Sequence, residues 1–320
     1  MRRALGLPTR WRTRPASPAL AVLLAVLVGA CGTTRPVPLD RRPADRVAVP
    51  TSAVHYRDFA TADGLAAYLR WSPGAPVLVS AHRGAPPPGL VENSIEAFEN
   101  ALNYAPALVE ADVRRTADGV LVLLHDETLD RTTTGAGRVG EATLAQVRQL
   151  RLVTEGGVVT PFRVPTLAEA LAWAEGRAVL LLDVKRDVPY PELVAALRAA
   201  DGFDQAAVIV YSLEAHRQLA ALAPEAVVSS TVETAADADA LLAAGLDLDR
   251  TIGWTGVGVP DAEVVRRLHA VGVRAQAGAF GAADAGGSPA AYDPFLAAGA
   301  DVIATDNLPA AALAAQRANR

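Results

Sequence analysis

The sequence predicts an α/β fold, a TIM-like (β/α)8 barrel, and three observations support this prediction. Short apolar runs alternate with amphipathic runs from residue 76 onward, which indicates a parallel sheet covered by helices. Eight or nine strand candidates lie between residues 77 and 305, and this number favours a closed barrel over an open sheet. Charged and histidine side chains interrupt or end several apolar runs. Barrel enzymes carry their catalytic residues at the carboxyl ends of the strands, which is where these side chains would lie.

The predicted elements follow one another along the chain. Residues 53–71 carry apolar side chains at roughly helical spacing and predict a short helix packed on the outside of the barrel. The strand candidates are residues 77–82, 108–113, 120–125, 178–185, 206–212, 226–232, 251–255, 273–277 and 301–305. The helix candidates include residues 94–104, 167–174, 191–199, 213–222, 234–244 and 261–270. The second and third strand candidates lie too close together for a crossover helix, so one short β–β connection is irregular.

The first 31 residues have the composition of a secretory leader. Residues 1–14 contain five arginines and no acid, and the apolar run 19–30 follows. This run is shorter than the roughly 20 residues that span a bilayer as a helix. Small residues then precede Cys31, the only cysteine, in a pattern that resembles the bacterial lipoprotein cleavage box. We therefore expect an exported protein at the cell surface or in the periplasm, anchored in the membrane through lipidated Cys31.

The domain organisation follows from this leader. Residues 1–31 are predicted to be a lipoprotein signal peptide and lipobox, and a plain signal peptide with an incidental cysteine is the alternative. Residues 32–54 are rich in Pro, Arg and Asp without apolar periodicity, which predicts a flexible tether. Residues 55–320 are predicted to form a single barrel domain. One cysteine also excludes a disulfide framework and a zinc site built of thiolates.

The charge balance bears on the partner. Loss of residues 1–31 would remove five arginines and no acid from 30 basic and 35 acidic residues, leaving a formal net charge of −10. An acidic body argues against nucleic acid as the main partner, because phosphate-backbone binding needs a basic footprint. It does not exclude a small phosphorylated substrate held by a few local cations.

Three carboxylates lie inside apolar strands. Glu110 and Asp112 are two residues apart, so a strand points both side chains to the same face. The same parity relates Asp183 to Lys185. Buried charges are costly unless they are paired or bound to an ion. Glu110, Asp112 and Asp183 therefore predict an all-oxygen site that suits Ca²⁺ or Mg²⁺ better than zinc or copper.

Two histidines and two cations end strands on the same predicted rim. His82 and His125 follow apolar runs, and Arg83 is next to the first of them. Lys185 is the only lysine, against 29 arginines, and its point charge suits a single phosphate oxygen. Imidazoles that transfer protons, beside cations and a metal, suit a phosphodiester substrate.

These residues occur in an ordered set of motifs between about residues 77 and 306. The motifs are Ala81-His82-Arg83-Gly84, Glu92-Asn93-Ser94, Glu110-Ala111-Asp112-Val113, His125-Asp126, Leu129-Asp130-Arg131-Thr132-Thr133, Pro165-Thr166-Leu167, Asp183-Val184-Lys185 and Thr305-Asp306. Each motif alone is weak, but the set resembles the glycerophosphodiester phosphodiesterase family. The resemblance implies a barrel of the phospholipase C-like phosphodiesterase type in residues 55–320. It also implies hydrolysis of glycerophosphodiesters to glycerol 3-phosphate and an alcohol, with one divalent cation.

The resemblance also implies roles for individual residues. His82 and His125 would be the general acid and base, Arg83 and Lys185 would bind the substrate phosphate, and Glu92 would support the site. The metal ligands would be Glu110, Asp112 and Asp183. Most members have glutamate where this chain has Asp183, and a tryptophan-bearing late strand is replaced by residues 274–277.

Several alternatives stay open at this point. The acidic residues could form internal ion pairs with Arg83 or Arg114, and Asp183 with Lys185 could be a structural pair. The same machinery could act on a larger lipid, as a lysophospholipase D or phosphoinositide-directed enzyme, if an apolar mouth opens near Phe280 and Tyr292. A surface lipoprotein that binds a ligand without catalysis is a third possibility.

The remaining polar and aromatic candidates are assigned structural places. Asp126 and Asp306 are expected to be loop or capping residues, and Trp254 is expected to pack in the core or rim. The other three histidines, His55, His216 and His269, are assigned to surface helices.

Overall fold

Eight parallel strands close into a barrel in the computed structural model, which describes residues 55–320. The described strands are β1 (Leu78–Ala81), β2 (Leu108–Arg115), β3 (Leu121–Leu123), β4 (Val179–Val184), β5 (Ala206–Val210), β6 (Val227–Thr231), β7 (Thr251–Val257), β8 (Arg274–Gly278) and β9 (Val302–Thr305). Strand β1 pairs in parallel with both β9 and β2, and this double pairing closes the ring. The predicted (β/α)8 barrel is confirmed. The signal peptide, Cys31 and the tether lie outside the described residues.

Helices cover the outside of the barrel. The described helices are α1 (Ala62–Leu69), α2 (Ile95–Ala101), α3 (Leu144–Val147), α4 (Leu167–Ala174), α5 (Tyr190–Ala199), α6 (Leu213–Leu222), α7 (Ala235–Leu242), α8 (Ala262–His269), α9 (Ala282–Ala285), α10 (Asp293–Ala297) and α11 (Leu308–Ala318). Outward-facing strand residues such as Val109 and Leu180 pack against them. No helix among the described residues is long and apolar enough to span a bilayer.

The irregular connection is a hairpin that stands above the barrel rim. Strand β3 runs antiparallel to β2 and pairs Leu123 with Val113. It pairs with no other named strand, so it lies outside the closed ring. The chain leaves the barrel along β2, turns, and descends again through β3 until the Leu124 N–H donates to the Asp112 carbonyl at 3.0 Å. His125 therefore reaches the rim from above, not at the end of a barrel strand.

Helix α1 covers the amino end of the barrel, with one face buried against the strands and Asp63 and Ala67 exposed on the other. Its buried residues Leu65, Ala66 and Leu69 share one cluster with the inward-facing residues of the strands. Those inward-facing residues are Leu78, Leu108, Val179, Leu181, Ala207, Val227, Ile252 and Val302. The apolar periodicity indicated a face to be buried but could not indicate which surface would bury it.

Candidate active site

The chain turns sharply after β1, and a hydrogen bond from this turn links it to β2. Arg83 has φ 52° and Gly84 has φ 85°, both in the left-handed region. A Cβ on Gly84 would lie 2.8 Å from Cδ1 of Phe98, so only glycine fits here. The turn aims the Arg83 backbone N–H at Glu110, which accepts through Oε2 at 2.6 Å. The backbone of the His-Arg-Gly motif thus binds Glu110, in addition to the candidate functional side chains that the motif supplies.

The three predicted metal ligands meet at the barrel mouth. Asp112 on β2 lies directly opposite Asp183 on β4, and Glu110 lies one inward position below Asp112. One carboxylate oxygen from each of the three lies within 4.8 Å of the others, and all three residues are buried. Burial, followed by the charges of Asp112 and Asp183, raises the pKa of Glu110 well above its usual range. Carboxylates held this close favour a bound cation.

The two candidate phosphate-binding cations lie against this cluster. The Lys185 ammonium contacts Asp112 Oδ1 at 2.6 Å and Asp183 Oδ2 at 2.5 Å. Nε of Arg83 lies 3.4 Å from Asp112 Oδ2, and its Nη1 donates to Glu92 at 3.2 Å. Ion pairs considered from the sequence, between Asp183 and Lys185 and between Asp112 and Arg83, are therefore both present.

The cations change the protonation of their partners. Burial alone would raise the pKa of Asp112, but Lys185, Asn93 and Arg83 together outweigh it and lower that pKa. Burial would lower the pKa of Lys185, but Asp112 and Asp183 outweigh it and raise it. The Lys185 side chain is 15% exposed, so an anion at the mouth can still reach it.

The donor set fits a hard divalent cation. Oδ1 of Asp183 is buried and has no hydrogen-bond partner among the described residues, although Oδ2 is bound to Lys185. An unpartnered buried carboxylate oxygen is costly unless a cation supplies the missing interaction. Ca²⁺ and Mg²⁺ take oxygen ligands, and carboxylates are prominent among them. Glu110, Asp112 and Asp183 could therefore hold such an ion.

His82 lies at the mouth and is held by a carboxylate from the last strand. Its Nδ1 lies 2.7 Å from Asp306 Oδ1, and the Phe280 ring packs on the imidazole with centroids 4.5 Å apart. Asp306 lies in the loop after β9, as predicted, and its carboxylate also orients this histidine. With Nδ1 engaged, Nε2 is the ring nitrogen available to a substrate.

His125 has an equivalent carboxylate, which belongs to a longer network. Its Nδ1 lies 2.7 Å from Asp126 Oδ1, so Asp126, which lies in a loop as predicted, also orients a histidine. Arg131 donates to Asp126 and also to both oxygens of Glu92, at 2.7 Å each. The hydrogen bonds from Arg131 are the main cause of the lowered pKa of Asp126. Because Glu92 also accepts from Arg83, a continuous chain of ion pairs joins the two histidine segments.

The inner pocket of the barrel opens beside His82. Its volume is about 140 Å³. Its lining residues are Ser80, His82, Glu110, Leu181, Asp183, Ile209, Tyr211, Ser229, Thr231, Trp254, Gln276, Phe280 and Ala304. Trp254 lines this pocket beside Phe280, with ring centroids 6.5 Å apart. Tyr292 is fully buried, so it does not contribute to an open apolar mouth beside Phe280.

Asn93 is a site residue that the sequence analysis quoted but did not assign. Its Nδ2 donates to Asp112 Oδ2 at 2.7 Å, and its Oδ1 accepts from the Asp112 N–H at 2.9 Å. It is buried and has φ 56°, a backbone region in which asparagine is enriched. Its place between Glu92 and a helix N-cap, Ser94, was the available signal.

Two of the three other histidines, His216 and His269, lie on outer helices as predicted, and His55 does not. His216 is on α6 but is 2% exposed. His269 ends α8, stacks on Trp71 with centroids 4.1 Å apart, and lies 2.8 Å from an Asp301 carboxylate oxygen. His55 precedes α1 and belongs to no helix.

Curated relatives share the motif-bearing part of the chain. The chain is similar to a glycerophosphodiester phosphodiesterase of Caldanaerobacter subterraneus, with 43% identity over 93 residues, 29% of this chain and 38% of the relative. It is also similar to a probable glycerophosphodiester phosphodiesterase 1 of Mycobacterium tuberculosis, with 51% identity over 77 residues, 24% of this chain and 27% of the relative. The alignments span less than half of these relatives' lengths.

Solved structures match over most of the barrel. A glycerophosphoryl diester phosphodiesterase from Parabacteroides distasonis has a TM-score of 0.77 and 29% identity, covering 82% of this chain and 94% of its own. A phosphodiesterase from Oleispira antarctica, solved with the product sn-glycerol-3-phosphate, shares the fold with a TM-score of 0.60 and 23% identity, covering 76% and 97%. The model of the glycerophosphoryl diester phosphodiesterase family matches residues 82–308. With a match over most of its length, the chain belongs to the glycerophosphoryl diester phosphodiesterase family.

Proposed function

We propose that this protein hydrolyses glycerophosphodiesters to glycerol 3-phosphate and an alcohol, with one divalent cation, Ca²⁺ or Mg²⁺. The observation that carries the proposal is the position of His82, which lines the same pocket as the carboxylates Glu110 and Asp183. The product complex of the Oleispira antarctica neighbour supports a glycerol phosphate at such a site.

The two imidazoles divide the proton transfers. Each Nδ1 is held by a carboxylate, Asp306 for His82 and Asp126 for His125, so each Nε2 is free for the substrate. One imidazole takes the proton of the nucleophile as its oxygen bonds to phosphorus. The other imidazole gives a proton to the leaving oxygen as its bond to phosphorus breaks. Water and the neighbouring glycerol hydroxyl are both candidate nucleophiles.

The charged residues bind the phosphate. Arg83 and Lys185 face the carboxylate cluster and can contact the two non-bridging oxygens. A divalent cation held by Glu110, Asp112 and Asp183 would supply charge neutralisation and polarise a phosphoryl oxygen. Glu92 keeps Arg83 and Arg131 in place through its two oxygens.

Product analysis on a panel of glycerophosphodiesters, with Ca²⁺, Mg²⁺, Mn²⁺ or EDTA, tests this proposal. Glycerol 3-phosphate should form with a divalent ion and not with EDTA. His82→Ala and His125→Ala should lose about 10²- to 10⁴-fold in kcat, the usual contribution of general acid–base catalysis. His55→Ala, outside the site, is the matched control. Wild-type turnover in either site variant would refute the roles, and absence of turnover in the wild type would favour a binding protein without catalysis.

A larger lipid is a second candidate substrate, because apolar side chains are exposed near the pocket. Tyr211 lines the pocket and is 63% exposed, while Val257 at the end of β7 and Val259 just after it are 66% and 53% exposed. An acyl chain could cover these residues while the phosphodiester occupies the charged side. Comparing hydrolysis of lysophosphatidylcholine with glycerophosphocholine tests this candidate, and a clear preference for glycerophosphocholine would exclude it.

We also propose that the protein is exported and held on the membrane by a lipid on Cys31, at the cell surface or in the periplasm. The basic and apolar leader and the single cysteine support this proposal. Cys31→Ser should move the protein from the membrane fraction to the soluble fraction. Unchanged membrane retention of this variant would contradict the anchor.

A further inference from the structure

Three neutral polar side chains face the barrel interior one layer below the mouth. Ser80 lies two residues before His82, and Ser229 lies two residues before Thr231, so strand parity puts each on the inward face. Gln276 on β8 lies opposite Trp254 on β7, which also faces inward. All three line the inner pocket, and each is at most 2% exposed.

This polar layer has few hydrogen-bond partners among the residues that the structure describes. Oγ of Ser80 is fully buried and has no hydrogen-bond partner among residues 55–320. Ser229 makes only a long contact of 3.4 Å to Oε1 of Gln276. A buried polar group without a partner costs about 1–3 kcal/mol. A pocket that keeps such groups is suited to a ligand that supplies the missing donors and acceptors.

The volume of the pocket limits that ligand. A cavity of about 150 Å³ holds benzene, which has six heavy atoms. The inner pocket, at about 140 Å³, has room for a molecule of that size. Glycerol also has six heavy atoms, whereas an inositol or hexose ring has twice as many. The hydroxyl groups on adjacent carbons of a three-carbon polyol can also hydrogen-bond to a layer that offers two hydroxyls and one amide.

We propose that Ser80, Ser229 and Gln276 form a polyol subsite that binds the hydroxyl groups of the glycerol moiety, so that the leaving alcohol points outward. This inference rests on the proposed function, since it names the part of the substrate that enters the barrel. The apolar walls from Leu181, Ile209 and Trp254 would contact the carbon atoms of the glycerol.

Binding calorimetry with Ca²⁺ present tests the subsite independently of turnover. The probes are sn-glycerol 3-phosphate and ethyl phosphate, which lacks the two hydroxyls. The wild type should bind glycerol 3-phosphate at least about tenfold more tightly, since each net hydrogen bond contributes about 0.5–1.5 kcal/mol. Ser80→Ala, Ser229→Ala and Gln276→Leu should each reduce this preference by about two- to tenfold. Their affinity for ethyl phosphate should remain within about twofold of the wild type.

Ser230→Ala is the matched control. Ser230 is as buried as its neighbour Ser229 but belongs to the opposite face of β6, so its loss should leave the preference intact. Thermal denaturation separates binding from folding: Ser80→Ala should not lower the melting temperature, because it removes an unpartnered hydroxyl.

The outcomes distinguish this inference from the proposed function. Equal affinity of the wild type for the two probes would overturn the subsite, and the polar layer would then hold water only. Variants that weaken both probes equally would also overturn it. A wild type that binds glycerol 3-phosphate selectively but forms no product from any diester would refute the proposed function and retain the subsite.

Discussion

Gly84 is a position where one added carbon atom would disturb the site. Its φ is +85°, and a Cβ there would lie 2.8 Å from the buried Phe98 ring. Gly89 has a similar φ of +97° but has no atom within 4 Å of the added carbon. Both alanine variants pay for the strained backbone, about 1–3 kcal/mol. Gly84→Ala should lose a further 1–3 kcal/mol or so through overpacking.

Urea denaturation of the two variants measures the difference directly. Gly84→Ala should also lower activity, because the same turn directs the Arg83 N–H to Glu110. Equal free energies of unfolding for Gly84→Ala and Gly89→Ala would show that the Phe98 ring can move aside without loss of stability.

His216 makes the stability of the protein depend on pH. Burial lowers its pKa from 6.5 to about 4, and its Nδ1 has no partner among the described residues. The unfolded chain therefore binds more protons than the folded one between these values. The stabilisation is complete above pH 6.5 and is lost as the pH falls towards 4. It amounts to about 3 kcal/mol at 1.36 kcal/mol per pKa unit.

His216→Leu removes this titration. The free energies of unfolding of the variant and the wild type should differ by an amount that changes between pH 4 and 6.5 and is constant above pH 6.5. Urea denaturation at several pH values measures this difference. Parallel curves over the whole range would contradict the depressed pKa.

Among elements, α1 is bound more tightly than an appended helix would be. Leu65 is fully buried among inward-facing strand residues. Arg274, buried inside the barrel, donates to the carbonyls of Pro76 and Tyr68, the second within α1. This cation lies at the carboxyl end of α1, where it also favours the helix dipole. The helix is thus part of the barrel core.

Leu65→Ala should lower the free energy of unfolding by about 2–5 kcal/mol, as expected for a buried leucine that leaves a cavity. Leu313→Ala is the control, because Leu313 is on helix α11 and half exposed. It should change stability by less than about 0.5 kcal/mol. Similar small losses in both variants, measured by urea denaturation, would mean that α1 is only loosely attached.

The predictability of the elements differs for physical reasons. The strands could be predicted because buried parallel strands are continuous apolar runs, and the hairpin because the link after β2 is too short for a helix. The position of α1 could not, since an amphipathic pattern does not specify the partner surface. Glu110, Asp112 and Asp183 stood out because charges inside strands are rare. The neutral residues Asn93, Ser80 and Gln276 could not be recognised in this way, because neutral polar residues occur in many strands without a function.

At the scale of the whole molecule, the barrel places the charged and the neutral side chains of the site mostly on different strands. Strands β1, β2 and β4, with the β3 hairpin, supply both histidines, the carboxylates and the cations. Strands β5 to β8 supply most of the hydroxyl, amide and aromatic groups of the inner pocket, and Ser80 on β1 adds one hydroxyl. This division lets the phosphate lie on one side of the mouth while a neutral part of the substrate enters the other. Specificity can then change without disturbing the acidic cluster.

We expect the acidic cluster to make the stability of the whole molecule depend on a bound cation. Three carboxylates within 4.8 Å repel one another, and Lys185 offsets only part of this repulsion. An ion that binds only the folded state stabilises it by about 2.7 kcal/mol at a hundred times its Kd. Ca²⁺ or Mg²⁺ should therefore raise the Tm of the wild type. Glu110→Gln should have a higher Tm without the ion, because one repelling charge is gone, and a smaller rise with it.

Differential scanning calorimetry with EDTA and with increasing Ca²⁺ or Mg²⁺ measures both effects. Glu155→Gln, an exposed carboxylate outside the site, is the control and should follow the wild type. The opposite signs of the two changes in Glu110→Gln are informative, because general damage would lower the Tm under both conditions. An equal rise in the wild type and in Glu110→Gln would place the ion elsewhere. No rise in the wild type with either ion would mean that Lys185 alone balances the cluster and that catalysis must rely on Arg83, Lys185 and the histidines.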